Sequence, residues 1–377
     1  MSKSVGFCKR LGLKYPIIQA PMAGTSTVEL ATEITNNGGL GSLPISTINF
    51  TQSQGLIQLK SLIEKYNVLN KSITNLNFFC HEIVEGVTPT QIKNWFELYS
   101  KVLNVNVGDV SEDEYFKNGN ISFKEYEHNE ELIDYLTKEL KPAVISFHFG
   151  YPSKETILKF QAAGIQIWVT STSLQETEIL GKLGVDGIVC QGFEAGGHRG
   201  NFITSKDFDE NLSTLALFLK SKQYLHQHDL HDKIDLIPTG GIMDSKTVKF
   251  YLDSDASAVQ VGTVFLTSPE ITNNKSYLKS LLQSHDYKPT ILIDIVSGKR
   301  ARAIQTDFIK GLIKYNHPSD DLPPYGILYN AYRTLKSNKT LSTSLDIGFY
   351  LMGQNYFQTD LTLTSTKDIF QSLVKDL

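Results

Sequence analysis

Short β-rich apolar runs alternate along this chain with amphipathic stretches of helical length, which is the pattern of repeated β-α units around a parallel sheet. The strand-like runs are Pro16–Ala20, Leu40–Pro44, Ile73–Phe79, Ala143–Phe149, Gln166–Thr172, Gly187–Gln191, Ile234–Thr239 and Ala256–Val261. Helical patterns follow nearly all of them, as at Thr27–Asn37, Ser153–Ala163, Leu174–Leu183 and Asp244–Leu252. Three of these open on a Ser, Thr or Asp that can cap the first turn, and several end at Gly or Asn, where a left-handed C-cap is cheap. Runs such as Ala143-Val-Ile-Ser-Phe-His-Phe149 are apolar on both faces, as a strand packed between outer helices and inner side chains requires.

Eight such units predict an α/β fold closed into a TIM (β/α)₈ barrel over residues 1–269. Two segments depart from the repeat. The stretch near 104–129 is polar and acidic and reads as an inserted surface loop. The tail, 270–377, mixes helical patterns with a proline turn at Asp320-Asp-Leu-Pro-Pro-Tyr325, which predicts a small C-terminal helical lid over the barrel mouth.

With 377 residues, 41% of them hydrophobic and 20% charged, the chain buries a full core and is no candidate for disorder. A net charge of −4 without a basic run argues against nucleic acid or an anionic membrane as partner. Cys8, Cys80 and Cys190 stand apart, which suggests neither a disulfide framework nor a zinc site. No run is long enough for a membrane span and the first residues lack the apolar core of a signal peptide, so the expectation is a cytoplasmic protein, with a mitochondrial address left open by the basic residues at the start.

In such a barrel the loops after the C-terminal strand ends build the active site whatever the reaction. The first of them, Gln19-Ala-Pro-Met-Ala-Gly24, joins Pro and Gly in a tight turn whose small residues let a flat ligand approach the backbone. After the sixth strand, Gln191-Gly-Phe-Glu-Ala-Gly-Gly-His-Arg-Gly200 spends four glycines in ten residues around a single imidazole, His198. A histidine titrating near neutrality removes a proton from carbon or stabilises an anion there. Arg199 suits a phosphate partner, a solvated position or a structural salt bridge, and Glu194 receives no role. His148, at a strand end, suits the pocket or a buried structural bond; His81 is a weaker candidate. Paired glycines in Pro238-Thr-Gly-Gly-Ile242 and Gln260-Val-Gly-Thr-Val264 lie where many such barrels bind a phosphate. Motifs for a Rossmann domain, a P-loop, a zinc protease or a nucleophile elbow are missing from the sequence, and no metal site is expected.

Gln19–Gly24, Ser146–Gly150, Gln191–Gly200 and Pro238–Ile242 together resemble the signature blocks of class I nitronate monooxygenases, formerly called 2-nitropropane dioxygenases. The resemblance implies one non-covalent FMN at the barrel mouth. Pro21, Met22, Ala23 and Gly24 would line it, Asn77, Gln191 and Gly196 would bond its ring or ribityl chain, and Gly240, Gly241, Gln260, Gly262 and Thr263 its phosphate end. His198 matches the family's catalytic histidine, which deprotonates neutral nitroalkanes at Cα and positions the nitronate. His148, Tyr325 and Tyr329 match substrate-pocket positions. The implied reaction takes a nitronate and O₂ to a carbonyl compound and nitrite; alkyl nitronates and propionate 3-nitronate both stand open as the substrate, and the oligomeric state is open too, a homodimer among the options. Thr239 and Val169 stand where alanine is common in the family, and Arg333 where lysine is frequent. Three rival readings are an FMN-dependent NAD(P)H:quinone or enoyl-thioester reductase on the same barrel, a non-flavin barrel for a phosphorylated metabolite, and a non-catalytic flavin-binding protein.

Overall fold

A computed structural model describes residues 2–84, 86–107, 115–117, 119, 121–203, 209–272, 274–283, 287–315, 321–338, 345–362 and 365–377. Residues 108–114, 118 and 120 of the polar stretch expected near 104–129, and Asp320 of the proline turn, lie outside the described residues. The described part of that stretch is not the surface loop expected, because Tyr115, Phe123 and Tyr126 are buried among other aromatic side chains.

All eight expected strand runs form. In chain order the strands are β1 (Ile17–Gln19), β2 (Ser42–Pro44), β3 (Asn75–Phe79), β4 (Val144–His148), β5 (Gln166–Ser171), β6 (Gly187–Gln191), β7 (Gly197–His198), β8 (Asp235–Thr239), β9 (Val259–Val261), β10 (Thr290–Ile293) and β11 (Ala301–Ile304). The parallel sheet runs β1-β9-β8-β6-β5-β4-β3-β2. A parallel bridge between Ile18 and Leu40 joins its two ends and closes the barrel. Closure leaves no edge strand in this sheet.

The helices begin where the capping residues direct. Thr27 Oγ1 accepts from Leu30 N at 3.1 Å, Ser153 Oγ from Thr156 N at 3.2 Å and Asp244 Oδ1 from Thr247 N at 2.7 Å. Gly184 ends the helix Leu174–Leu183 at φ +76°, a left-handed conformation that glycine adopts without strain. At the N-terminal barrel end, helix Lys3–Leu11 inserts Phe7 against Trp168, ring centroids 5.7 Å apart and both side chains fully buried, and so plugs the bottom.

The tail is helical at Asn274–Leu282, Asp307–Lys314, Ile327–Ser337 and Thr366–Val374. It also contributes a hairpin, β10–β11, which the sequence pattern did not suggest. β11 pairs antiparallel with β7, with Ala301 opposite His198 and Arg302 opposite Gly197. The packing divides the tail differently from a barrel ending at residue 269. Ile369, Phe370 and Leu373 of the last helix are buried in the barrel core, where that helix lies between Val28–Asn36 and Ser245–Asp253 and occupies the place of the eighth barrel helix. The segment between β9 and this helix is thus an elaborated eighth βα loop. It has a core of its own with helix Pro89–Leu103, in which Trp95 and Tyr99 meet Phe308 and Tyr332.

Candidate active site

The loop after β6 passes directly against Thr214, which its first residue permits by being glycine. A Cβ at Gly192 would lie 2.1 Å from Thr214 Oγ1, a distance no side chain tolerates. Glu194 accepts from Thr214 N at 2.8 Å and from its hydroxyl at 3.0 Å, so its carboxylate is engaged at the start of helix Thr214–Gln227. The chain then enters β7, where the hairpin of the tail holds it flat.

His198 is fixed at its backbone by two side chains. Gln191 Nε2 donates to the His198 carbonyl at 3.0 Å, and His148 Nε2 to the same oxygen at 3.2 Å. Gln191 Oε1 accepts from Gly200 N at 2.7 Å, so one amide side chain holds the backbone on both sides of Arg199, directly after the imidazole. His148 completes its bonding through Nδ1 to Thr170 Oγ1 at 3.0 Å. Both readings of His148 are thus combined in one residue that lines the cavity and supports the loop.

Of the readings open to Arg199, the structure gives it the salt bridge. It forms a buried ion pair with Asp209, with Nη2 2.7 Å from Oδ1 and Nε also on the carboxylate, and donates to the carbonyls of Thr172 and Gln191. Glu176, likewise buried, accepts from Thr172 N and Phe202 N, both at 2.6 Å. These charges tie the segment after His198 to the end of β5.

The His198 ring is walled by Phe149, Tyr325 and Tyr329, at centroid distances of 6.0, 5.7 and 5.5 Å. Its Nε2 lies 2.9 Å from Ser297 Oγ, on the turn of the tail hairpin. Burial, then the charges of His148, Arg333 and Lys299, push His198 down to about 3, and burial pushes His148 down to about 4. Both rings are neutral at physiological pH.

These residues border a cavity of about 1330 Å³, open mouth included. It is lined by Pro21, Met22, Ala23, Asn77, His148, Gln191, Gly196, His198, Gly240, Gly241, Gln260, Gly262, Thr263, Tyr325 and Tyr329, all of them sequence-predicted. Gly24 is the exception: it turns the chain at φ +77° outside the lining. Arg333 carries the single formal charge among the lining side chains, since the histidines are neutral. It stacks on Tyr329, Cζ 4.1 Å from the ring centroid, and borders a smaller chamber of about 430 Å³ that also holds His81.

At the end formed by the eighth and ninth strands, the amides of Gly240, Gly241, Gly262 and Thr263 donate to no backbone carbonyl among the described residues. Gly241 has φ +71°, and its missing Cβ would lie 3.1 Å from Asn355 Nδ2. Asn355 donates to Gly241 O at 2.7 Å, and Gly353 N to Thr263 Oγ1 at 3.0 Å. Amides and hydroxyls without carboxylates suit a phosphate. Gly353, Asn355, Ser297 and Tyr277 were not identified from the sequence, because they belong to the tail, where no β-α period assigns a residue to the mouth.

The family model for nitronate monooxygenase matches residues 7–376. The chain belongs to the nitronate monooxygenase family. It is 42% identical to a Saccharomyces cerevisiae protein provisionally named a nitronate monooxygenase, over 98% of this chain and 92% of that protein. A nitronate monooxygenase from Pseudomonas aeruginosa is 32% identical, with 92% of each chain covered. Among solved structures, a nitroalkane oxidase from Streptomyces ansochromogenes superposes with TM-score 0.74 at 22% identity, covering 97% of this chain and 96% of its own. FabK from Thermotoga maritima follows at 0.65 and 19%, covering 98% and 94%. At those identities the two structures support the barrel and nothing finer. Membership makes this chain an oxidoreductase of the nitronate monooxygenase family, and within it the glycine-histidine loop, the strand-end histidine and the paired glycines occupy one cavity. Among the described residues no helix is long and apolar enough to cross a membrane, and no cluster of His, Cys, Asp or Glu is arranged for a metal ion.

Proposed function

We propose that this chain is an FMN-dependent nitronate monooxygenase that oxidises alkyl nitronates, propionate 3-nitronate included, with O₂ to carbonyl compounds and nitrite. The observation that carries the reading is His198. It is an imidazole kept neutral by burial, on the wall of a cavity whose lining has one positive charge and no carboxylate.

Pro21, Met22 and Ala23 would lie along the flavin, Asn77, Gln191 and Gly196 beside its ring or ribityl chain, and Gly240, Gly241, Gln260, Gly262 and Thr263, joined by Asn355, at its phosphate. The amide cradle without side chains at Gly241 and Gly262 supports that fit. Bound FMN would supply the redox chemistry between the nitronate and O₂. The protein's own part is electrostatic and positional. Arg333 draws an anionic nitronate to a site poor in competing charge, and Tyr325 and Tyr329 enclose it with His148 and His198. For a substrate that arrives as a neutral nitroalkane, His198 takes the Cα proton. The developing anion beside it stabilises the imidazolium, which compensates for the burial that otherwise disfavours charge.

Purified protein mixed anaerobically with ethyl nitronate should lose its flavin absorbance, while NADH and NADPH leave it unchanged. Rapid bleaching by either nicotinamide would instead make it a reductase on the same barrel, and a colourless preparation would remove the flavin altogether.

A further inference from the structure

What the two ring nitrogens of His198 can do depends on which carries the proton in the neutral form. Nε2 is 2.9 Å from Ser297 Oγ. A serine hydroxyl has one hydrogen, and Ser297 Oγ directs it to the carbonyl of Lys299 at 2.9 Å, an oxygen that can only accept. Ser297 is therefore the acceptor in its contact with the ring, and His198 Nε2–H is the donor. The opposite arrangement, with the hydroxyl donating to Nε2, leaves the Lys299 carbonyl without that donor.

We propose that Ser297, on the turn of the lid hairpin, is a positioning residue that holds His198 in the tautomer protonated at Nε2, leaving the Nδ1 lone pair as the base. Nδ1 has no hydrogen-bond partner among the described residues, and it is not one of the polar atoms sealed away without a partner, so it remains open to the cavity. The turn that presents Ser297 is itself tightly placed. Ser297 is fully buried, and its own N–H and that of Gly298 both donate to Asp294 O, at 3.1 and 2.7 Å. Gly298 has φ +85°, and a Cβ there would lie 2.5 Å from Tyr325 N, so the turn sits directly against the backbone of a cavity-lining tyrosine. Gln191 and His148 fix the His198 backbone, whereas Ser297 fixes the ring. The ammonium of Lys299, 5.0 Å from the Phe149 ring and 5.6 Å from that of Tyr325, two of the rings that wall His198, opposes a second proton on the imidazole.

The proton-transfer consequence rests on the function proposed above; the tautomer does not. Protein labelled with ¹⁵N-histidine, as purified with its flavin, gives ring correlations in which His198 is identified among nine histidines by its loss in His198→Asn. The wild type should show His198 protonated at Nε2 and unprotonated at Nδ1 near pH 7.5. Ser297→Ala should give a mixture of tautomers, and its kcat/KM for neutral nitroethane should fall by about tenfold or more relative to that for ethyl nitronate. Ser297→Thr, which keeps a hydroxyl, should restore both. Circular dichroism and flavin absorbance check that the variants fold. The wild-type spectrum decides the tautomer even where a variant fails to fold: protonation at Nδ1 overturns the proposal. So does an unchanged tautomer in folded Ser297→Ala, or an equal loss on both substrates. A wild type that turns over neither nitro compound refutes the function, while its spectrum still reports where the proton is.

Discussion

Removal of the Asp209 carboxylate tests how the His198 loop is held. In Asp209→Ala the Arg199 guanidinium, 3% exposed, keeps the carbonyls of Thr172 and Gln191 but loses its counter-charge. Arg300, whose Nη1 is 3.3 Å from the same carboxylate, then adds a like charge nearby. Opposite charges about 4 Å apart at an effective dielectric constant of about 20 attract by about 4 kcal/mol. That matches the 3–5 kcal/mol or so by which breaking a buried pair from one side destabilises proteins. An unfolding entropy of about 2.1 cal/mol/K per residue over 377 residues amounts to about 0.8 kcal/mol/K, so the expected fall in Tm is about 5 °C. Asp209→Asn, which keeps the shape and one acceptor, should lose about half as much. Differential scanning fluorimetry measures both. The pair also predicts an acid dependence. Burial alone would raise the Asp209 pKa, but the Arg199 hydrogen bonds and charge, helped by Arg300, outweigh it and leave it below the usual carboxylate range. Its stabilisation is therefore complete above about pH 4 and disappears as pH falls through the folded-state value. The gap between wild type and Asp209→Ala should close in strong acid. A neutral-pH Tm within a degree of wild type would refute the view that this ion pair secures the loop.

Three further outcomes follow from the same geometry. His198→Asn should lower kcat/KM for neutral nitroethane by about 10²–10⁴ and spare preformed ethyl nitronate, since only the former needs a base; steady-state oxygen consumption on both substrates decides, and matched losses would remove the proton-abstraction role. Gly241→Ala, which puts a Cβ 3.1 Å from Asn355 Nδ2 on a backbone at φ +71°, should weaken FMN retention by about tenfold in an ultrafiltration assay, with riboflavin affected less if the cradle serves the phosphate. His198 and His148, lowered by burial to about 3 and about 4, stay neutral in the folded protein while the unfolded chain binds protons below about pH 6.5, so stability should decline as pH falls from there towards 4. A Tm that stays level between pH 7 and 5 would contradict the burial of the two rings.

The barrel and most of its mouth are legible in local patterns along the chain. β-rich runs at a regular β-α period are local signals, and a parallel sheet covered on both faces is the arrangement that buries all of them. The glycines and the imidazole between Gln191 and Gly200 were legible for the same reason, since a backbone demand is written at the residue that meets it. Contacts between residues far apart in the chain emerge only from the fold. Ser297 meets His198 across 99 residues, and the last helix returns to complete a barrel begun by the first strands. Arg199 could have faced a phosphate or a carboxylate until the fold placed Asp209 beside it. The pairing of the hairpin with β7 was invisible because β7 is two residues long, too short for any periodicity. Local patterns specify which elements form, whereas the groups that hold the reactive ring in place come from loops brought together by burial elsewhere.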